Sequence, residues 1–262
     1  MDILVCVKQV PDDYAEIHLD PATGLPATAA AEKVANAFDT YALELATRYC
    51  EANGGEVTVA CIGPEGVSSM MKNLLAVGAK KAYVFDQTGL EGADEAATAA
   101  YLASVVKKCQ ELSGQAYGLI LCGKESTDEI SSQVGARLAE KLGLGFVSGV
   151  IEVEPNGDGL AAKQETEDGY IKFAVNTPAV LTIAKPAYDP RYPNIKAKMA
   201  ARKAVIPVIS AADAGIEKTA NLASCLGYAE PPKRSAGVKI QEKEAADAVS
   251  KAMSILLQDK VL

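Results

Sequence analysis

The sequence predicts an α/β protein built on a parallel sheet with helices covering both faces. Two observations support that class. Short runs that are apolar at every position alternate with stretches of helical periodicity, separated by glycine or proline punctuation. The apolar runs also lack the polar–apolar alternation of a half-exposed sheet, as expected of strands buried on both sides.

Each element can be justified in turn. Ile3–Val7 reads as a strand ending at Lys8. Asp39–Ala52 reads as a helix, because Leu43, Leu45, Ala46 and Tyr49 keep helical spacing and Asn53-Gly54-Gly55 stops it. Val57–Ile62 is a strand closed by Gly63-Pro64, and Ser68–Val77 is a helix closed by Gly78. Lys81–Phe85 is a third strand and Ala93–Leu112 a long helix. Leu119–Cys122 is a fourth strand that enters Gly123, and Ser131–Leu142 is a helix ended by Gly143.

From about Val150 the pattern changes. Val150–Glu154, Leu160–Glu167, Tyr170–Val175 and Ala179–Ile183 resemble strands joined by Gly, Asn and Asp turns, which predicts an antiparallel extension. Pro186–Lys203 is a basic, proline-containing loop passing into a helix. Beyond Ser210 there is little core pattern until a final amphipathic helix. There Ala245, Val249, Met253, Leu256 and Leu257 share a stripe that needs a cover, from its own domain or from a partner.

Composition narrows the chemistry. The 262 residues include one histidine, no tryptophan and 5% aromatics, with a net charge of −8. A zinc site with two histidines is impossible. Any Ser-His-Asp or Cys-His scheme would rest on His18, in a charged, turn-like stretch. Aromatic platforms for single strands are scarce, and the acidic balance opposes nucleic-acid binding. None of the six cysteines forms a CxxC, and Cys6, Cys61 and Cys122 lie inside apolar runs, as buried thiols of a reducing compartment do. The start MDILVCVKQV lacks the features of a signal peptide, and no apolar stretch reaches the roughly 20 residues of a membrane span. A soluble, cytoplasmic protein is expected.

Two short motifs mislead. Gly143-Leu144-Gly145 with Ser148 resembles a dinucleotide loop but follows a helix rather than opening one. Gly123-Lys124-Glu125-Ser126 resembles the end of a triphosphate loop, yet the upstream glycine is missing and Glu125 stands at the hydroxyl position. The better candidate is the whole segment GKESTDEISSQVG, Gly123 to Gly135, where a strand ends and a helix begins. Ser126, Thr127, Ser131 and Ser132 supply hydroxyls, and the helix start supplies unpaired N–H groups, a combination suited to phosphate. Asp128, Ser131 or Ser132 could equally serve only as helix caps. The loops at Gln9–Asp13, Asn36–Asp39 and Ile62–Gly66 fall at the same sheet edge and would complete one crevice.

An ordered set of segments then becomes specific. LVCVKQVPD at 4–12, NAFDTYALELA at 36–46, GP at 63–64 and LAVGAKKAYVF at 75–85 come first. ILCGKESTDEISSQVGARLAEKLG at 120–143, TPAVLTIAKPAYDPRYPNIKAKMAARK at 177–203 and PPKRSAGVKI at 231–240 follow. Together they resemble the beta subunits of electron transfer flavoproteins along nearly the whole chain. The resemblance implies an adenine-nucleotide-binding, Rossmann-like fold at residues 1–209, including the antiparallel extension. It implies a C-terminal arm at 210–262 that docks on a partner alpha subunit carrying its own FAD.

By the same resemblance, a nucleotide should contact Cys6, the turn Asn36, Ala37, Phe38 and Asp39, then Ile62 and Gly123. Ser126, Thr127, Asp128, Ser131, Ser132, Gln133 and Val134 should surround its phosphate and ribose. Members of the AMP-binding kind read something like DxCNQT here, and bifurcating members read like DGDTAQVG. Asp128–Gly135 reads DEISSQVG, so Gln133-Val134-Gly135 and KQVPD at 8–12 follow the bifurcating pattern. Glu129 replaces a usual glycine, Ile130 an acid and Ser131 a threonine, while Asp13 and Ala37 stand where threonine and proline are common. FAD is the implied ligand and AMP the alternative.

The resemblance further implies electron flow from NADH toward an acyl-CoA dehydrogenase or related partner, by electron bifurcation. No side chain need act as acid, base or nucleophile in such a carrier. Within the basic loop, Ile195 takes the position of the family's docking anchor, with Arg191 and Lys196 among the charges around it. From a different class, an ATP pyrophosphatase would need an SGGxDS-like loop after the first strand, where this chain has KQVPDDY. A stand-alone adenine-nucleotide-binding module is the remaining alternative, and the strands after Val150, the anchor loop and the tail oppose it.

Overall fold

In the computed structural model, which describes residues 1–232 and 236–261, residues 233–235 of the PPKRSAGVKI segment lie outside the described residues. Strand β1 (Ile3–Cys6) leads into a small antiparallel ribbon, β2 (Gln9–Pro11) with β3 (Lys33–Ala35), which delivers the chain to helix α1 (Ala37–Asn53). Then come β4 (Val57–Gly63), α2 (Ser68–Ala76), β5 (Lys81–Asp86), α3 (Glu95–Ser113), β6 (Leu119–Gly123) and α4 (Val134–Leu142). The second half adds β7 (Gly145–Asn156), β8 (Gly159–Thr166), β9 (Gly169–Val175), β10 (Ala179–Ile183), α5 (Ile195–Arg202), β11 (Val208–Ile209) and α6 (Ala245–Gln258).

The main sheet has nine strands in the order β11-β5-β4-β1-β6-β10-β7-β8-β9. Every pairing from β11 through β7 is parallel, and β8 and β9 continue antiparallel. Strand β1 shows why its sequence is uniformly apolar. Ile3 and Val5 enter the core with α1 and α2, whereas Leu4 and Cys6 enter the opposite core with α3 and α4. Burial on both faces removes the alternation.

The order contains a reversal that positions the site. The chain moves from β1 outward through β4 and β5, then returns so that β6 lies on the other side of β1. Connections therefore leave the carboxyl ends of β1 and β6 in opposite directions, and a crevice opens between them.

Three sequence expectations need correction. The helix expected from Ser131 begins at Val134, because Ile130 and Ser132 adopt left-handed backbone (φ 54° and 55°) and break the run. Ala179–Ile183 is not antiparallel: it is parallel β10, between β6 and β7. All five of its residues are buried, which requires the middle of the sheet rather than its edge. The antiparallel part begins within β7, whose first residues pair with β10 and whose later residues, past an irregularity at Val150–Glu152, pair with β8.

The third correction concerns the tail. The chain forms two compact units, Met1–Ile17 with Pro26–Leu226, and His18–Leu25 with the residues from Gly227 onward. The stretch 210–226 thus belongs to the sheet-bearing unit rather than to the arm. Ala214 and Ile216 are buried in the core on the α3 side. Asp94 accepts hydrogen bonds from the Leu222 and Ala223 N–H groups, and Asn221 Nδ2 donates to the Gly92 carbonyl. In the second unit, the Leu19 N–H donates to Glu230, and α6 has no buried residue. No described helix is long and apolar enough to cross a membrane.

If residues 210–226 are part of the core, Ile216→Ala should lower the unfolding free energy by about 2–4 kcal/mol in urea titration. A loss below about 0.5 kcal/mol, the range of surface substitutions, would show that the segment is only draped over the fold.

Candidate functional site

A cavity of about 290 Å³ lies at the reversal between β1 and β6. Its floor is formed by the strand ends, Cys6, Val7 and Lys8 from one strand and Cys122 and Gly123 from the other. Ile62 closes one side, and Ser126, Ser131, Ser132, Gln133 and Val134 form the loop wall. Asn36 and Asp39, from the start of α1, complete the lining. The other four residues named from the sequence, Ala37, Phe38, Thr127 and Asp128, do not line the cavity.

The start of α1 works as a clamp. Asp39 is buried; its Oδ2 accepts from the Lys8 backbone N–H and its Oδ1 from the Gly123 N–H, both at 2.8 Å. One carboxylate therefore joins the ends of β1 and β6. Asn36, also buried, accepts from the Thr127 N–H at 3.1 Å and donates through Nδ2 to the Glu125 carbonyl at 2.9 Å, so it holds the loop. Gly123 is required by this closeness, since a Cβ there would lie 2.6 Å from Asp39 Oδ1 and 2.7 Å from Phe38 Cβ. Burial pushes the Asp39 carboxyl up to about 6, against the pull of the Lys8 and Gly123 N–H groups.

The loop wall is polar and braced. The Lys8 ammonium meets Asp128 Oδ1 at 2.9 Å and Glu129 Oε2 at 3.0 Å, and donates to Ser126 Oγ at 3.3 Å. Burial works against this charge, but the hydrogen bonds and charges of Asp128 and Glu129 outweigh it, and the Lys8 pKa lies above the ordinary lysine value. Ser132 Oγ donates to Glu125 Oε2 at 2.7 Å, and Gln133 Oε1 accepts from Arg137. Helix α4 has no side-chain N-cap, so its first N–H groups are available beside the cavity. Gly135 lets this helix start approach the sheet, because a Cβ there would overlap Thr182 Cγ2. Thr127 Oγ1 is buried without a hydrogen-bond partner among the described residues.

Such a wall can hold an anion through N–H groups, hydroxyls and the helix dipole. It offers no evident nucleophile. The Cys122 thiol is pushed well above its ordinary pKa, first by its hydrogen bond with Cys6 and then by burial, so it stays a neutral thiol, and both cysteines are buried. Among the described residues, no group of three or more His, Cys, Asp or Glu could hold a metal ion.

Sequence reasoning missed part of this site. Lys8 could have been found, because it directly follows the first strand at the carboxyl edge. The wall from Leu90, Glu91, Thr98 and Tyr101 carried no signal, since only the packing of α3 brings it to the cavity.

The basic loop divides into an exposed tip and a part tied to the body. Ile195 begins α5, is 79% exposed and has Lys196 beside it, while Asn194 Oδ1 caps the helix from the Ala197 N–H. Arg191 points the other way. Its Nε meets Glu44 Oε2 at 2.9 Å and its Nη2 meets Glu51 Oε2 at 2.9 Å. Glu44 is buried in α1, so the guanidinium neutralises it and ties the loop to the body.

A doubly wound parallel sheet with a crevice at its reversal defines an α/β protein whose ligands bind outside the carboxyl ends of the strands. The electron transfer flavoprotein domain matches residues 25–214 of the chain. An electron transfer flavoprotein subunit beta of Megasphaera elsdenii is 33% identical over 100% of both chains. A subunit beta of Thermoanaerobacterium thermosaccharolyticum is 37% identical, covering 83% of this chain and 82% of its own. The caffeyl-CoA reductase-Etf complex subunit CarD of Acetobacterium woodii is 34% identical over 84% of this chain and 82% of its own. The chain belongs to the electron transfer flavoprotein family, on the side of the beta subunits.

The Asp39 clamp has a measurable signature. Its carboxyl titrates near 6 in the folded chain, against an ordinary 3.8. The folded state holds this proton more tightly, so the stabilising contribution is complete below about pH 3.8 and is lost as pH rises through 6. Asp39→Asn abolishes that dependence and leaves one strand-end N–H without its oxygen. In urea titrations, the stability advantage of wild type over Asp39→Asn should grow between about pH 7 and about pH 4, by about 3 kcal/mol at most. A difference independent of pH would contradict the clamp's titration.

Proposed function

We infer that the chain is the beta subunit of a heterodimeric electron transfer flavoprotein that binds FAD between β1 and β6. In this reading it passes electrons from NADH, through the flavin of an alpha subunit, toward an acyl-CoA dehydrogenase or similar partner by flavin-based bifurcation. The observation that carries it is the uncapped start of α4, with Gln133 and Val134 against the crevice and the Ser131 and Ser132 hydroxyls beside it. The name of the Acetobacterium relative supports a partner that acts on a CoA thioester.

FAD, when bound, supplies the reversible electron chemistry. The chain's own residues then bind and orient it. The first N–H groups of α4 and the Ser131 hydroxyl hold phosphate, Ser132 braces the wall through Glu125, Asn36 and Asp39 keep the walls in register, and Cys6 and Cys122 form the floor. No proton needs to be moved by a side chain. AMP is the second reading, favoured by the size of the cavity. About 290 Å³ is at the low end for small-ligand sites and suits the adenylate portion that AMP and FAD share.

The exposed Ile195 tip serves as the anchor for the partner dehydrogenase, with Lys196 steering the encounter. The arm from Gly227 onward, with Val249, Met253 and Leu257 exposed on α6, docks on the alpha subunit.

Extracting cofactors from the copurified heterodimer should give two flavins, both bleached on NADH addition; one flavin accompanied by AMP would overturn the bifurcating reading. Ile195→Ala should raise KM for the partner dehydrogenase about tenfold, the loss of one well-packed apolar contact, while flavin content stays the same. An unchanged KM would remove Ile195 from the docking surface.

A further inference from the structure

We propose that Glu125 and Glu129 form a charge filter that admits adenylates of low phosphate charge and rejects nucleoside triphosphates. The proposal rests on the reading of the cavity as an adenylate site. It starts from an imbalance in the lining: Lys8 and Lys124 face Asp39, Glu91, Glu95, Glu125 and Glu129. A site built for triphosphate instead surrounds it with N–H groups and a lysine that reaches the outer phosphates.

The two glutamates are held in place. Glu129 Oε2 lies 3.0 Å from Lys8 Nζ, and Asp128 Oδ1 lies 2.9 Å from the same nitrogen. The lysine is therefore neutralised by the loop and adds little net attraction for further phosphates. Glu125 Oε2 is fixed by the Ser132 hydroxyl at 2.7 Å, and the backbone of Glu125 is fixed by Asn36 Nδ2 at 2.9 Å. Arg137, the nearest arginine along α4, gives its Nε and Nη2 to Gln133.

What remains attractive is one lysine, Lys124, and the start of α4, a partial positive charge that acts over about one turn. Together they suffice for a single phosphate or for the two singly charged phosphates of a dinucleotide. Each further phosphate oxyanion would approach the Glu125 and Glu129 carboxylates at the open side of the cavity, where the Glu129 side chain is 61% exposed and the repulsion is reduced by added salt. Glu91 and Glu95 add two further carboxylates to the lining.

The test uses the full chain copurified with its alpha subunit and freed of nucleotide, in metal-free buffer. AMP and ATP affinities are measured by calorimetry at low and high sodium chloride, for wild type and for Glu125→Gln/Glu129→Gln. Wild type should prefer AMP by at least about tenfold at low salt, and about 0.5 M salt should narrow that gap, because screening shortens to a few ångströms. The double substitution should reduce the AMP-to-ATP ratio about tenfold, the scale of one or two lost charge contacts. Equal wild-type affinities would overturn the filter, and so would a preference that neither salt nor the substitutions change, since exclusion would then be steric. Failure of wild type to bind AMP and ATP alike would overturn the adenylate reading itself, a separate result from loss of discrimination.

Discussion

One buried carboxylate sets the geometry on which the site depends. Asp39 joins the Lys8 and Gly123 N–H groups where the connections of the neighbouring strands β1 and β6 diverge toward opposite sides of the sheet. Divergence opens the crevice and the carboxylate prevents it from opening further. Placing that group in the interior has an electrostatic cost, visible in its raised pKa, and two charge–dipole hydrogen bonds offset part of it. The lack of a side chain at Gly123 follows from this arrangement, because the clamp occupies the space a Cβ would need.

Helix α1 extends the same logic across the domain. Its first turn holds the cavity through Asn36 and Asp39, and its middle holds the basic loop through Glu44 and Glu51. Glu44 is buried and would be costly without a cation, so Arg48 and Arg191 both pair with it. Arg48 also lies over the Tyr188 ring, 4.0 Å from its centre. The loop that presents Ile195 is thus anchored to a rigid element rather than left to solvent. A fixed apolar tip loses less freedom on contact than a mobile one.

The scarcity of histidine and aromatics fits a site of this kind. N–H groups, hydroxyls and a helix start can hold phosphate without imidazole, metal or stacking platforms. The serine-rich loop adopts its shape through two residues in left-handed backbone, Ile130 and Ser132, and through braces from Asn36 and Lys8 that come from distant parts of the chain.

The sequence by itself determined the main-sheet strands and the helices of the first half and the ordered segments that mark the family. These depend on local periodicity and on spacing that one dimension preserves. It also pointed to the residues of the Gly123–Gly135 loop. Of the other loops it placed at the crevice, Asn36, Asp39 and Ile62 reach the lining, whereas Gln9–Pro11 pairs with Lys33–Ala35 instead. Only the tertiary structure decided that Ala179–Ile183 enters the sheet in parallel and that residues 210–226 pack on α3, because strand order and core membership arise from long-range pairing. It alone decided that Asn36 and Asp39 brace the walls, that Lys8 answers Asp128 and Glu129, and that Arg191 turns inward to Glu44. Each of those pairings joins residues far apart in the chain, and burial, which makes their partners obligatory, is a property of the folded molecule.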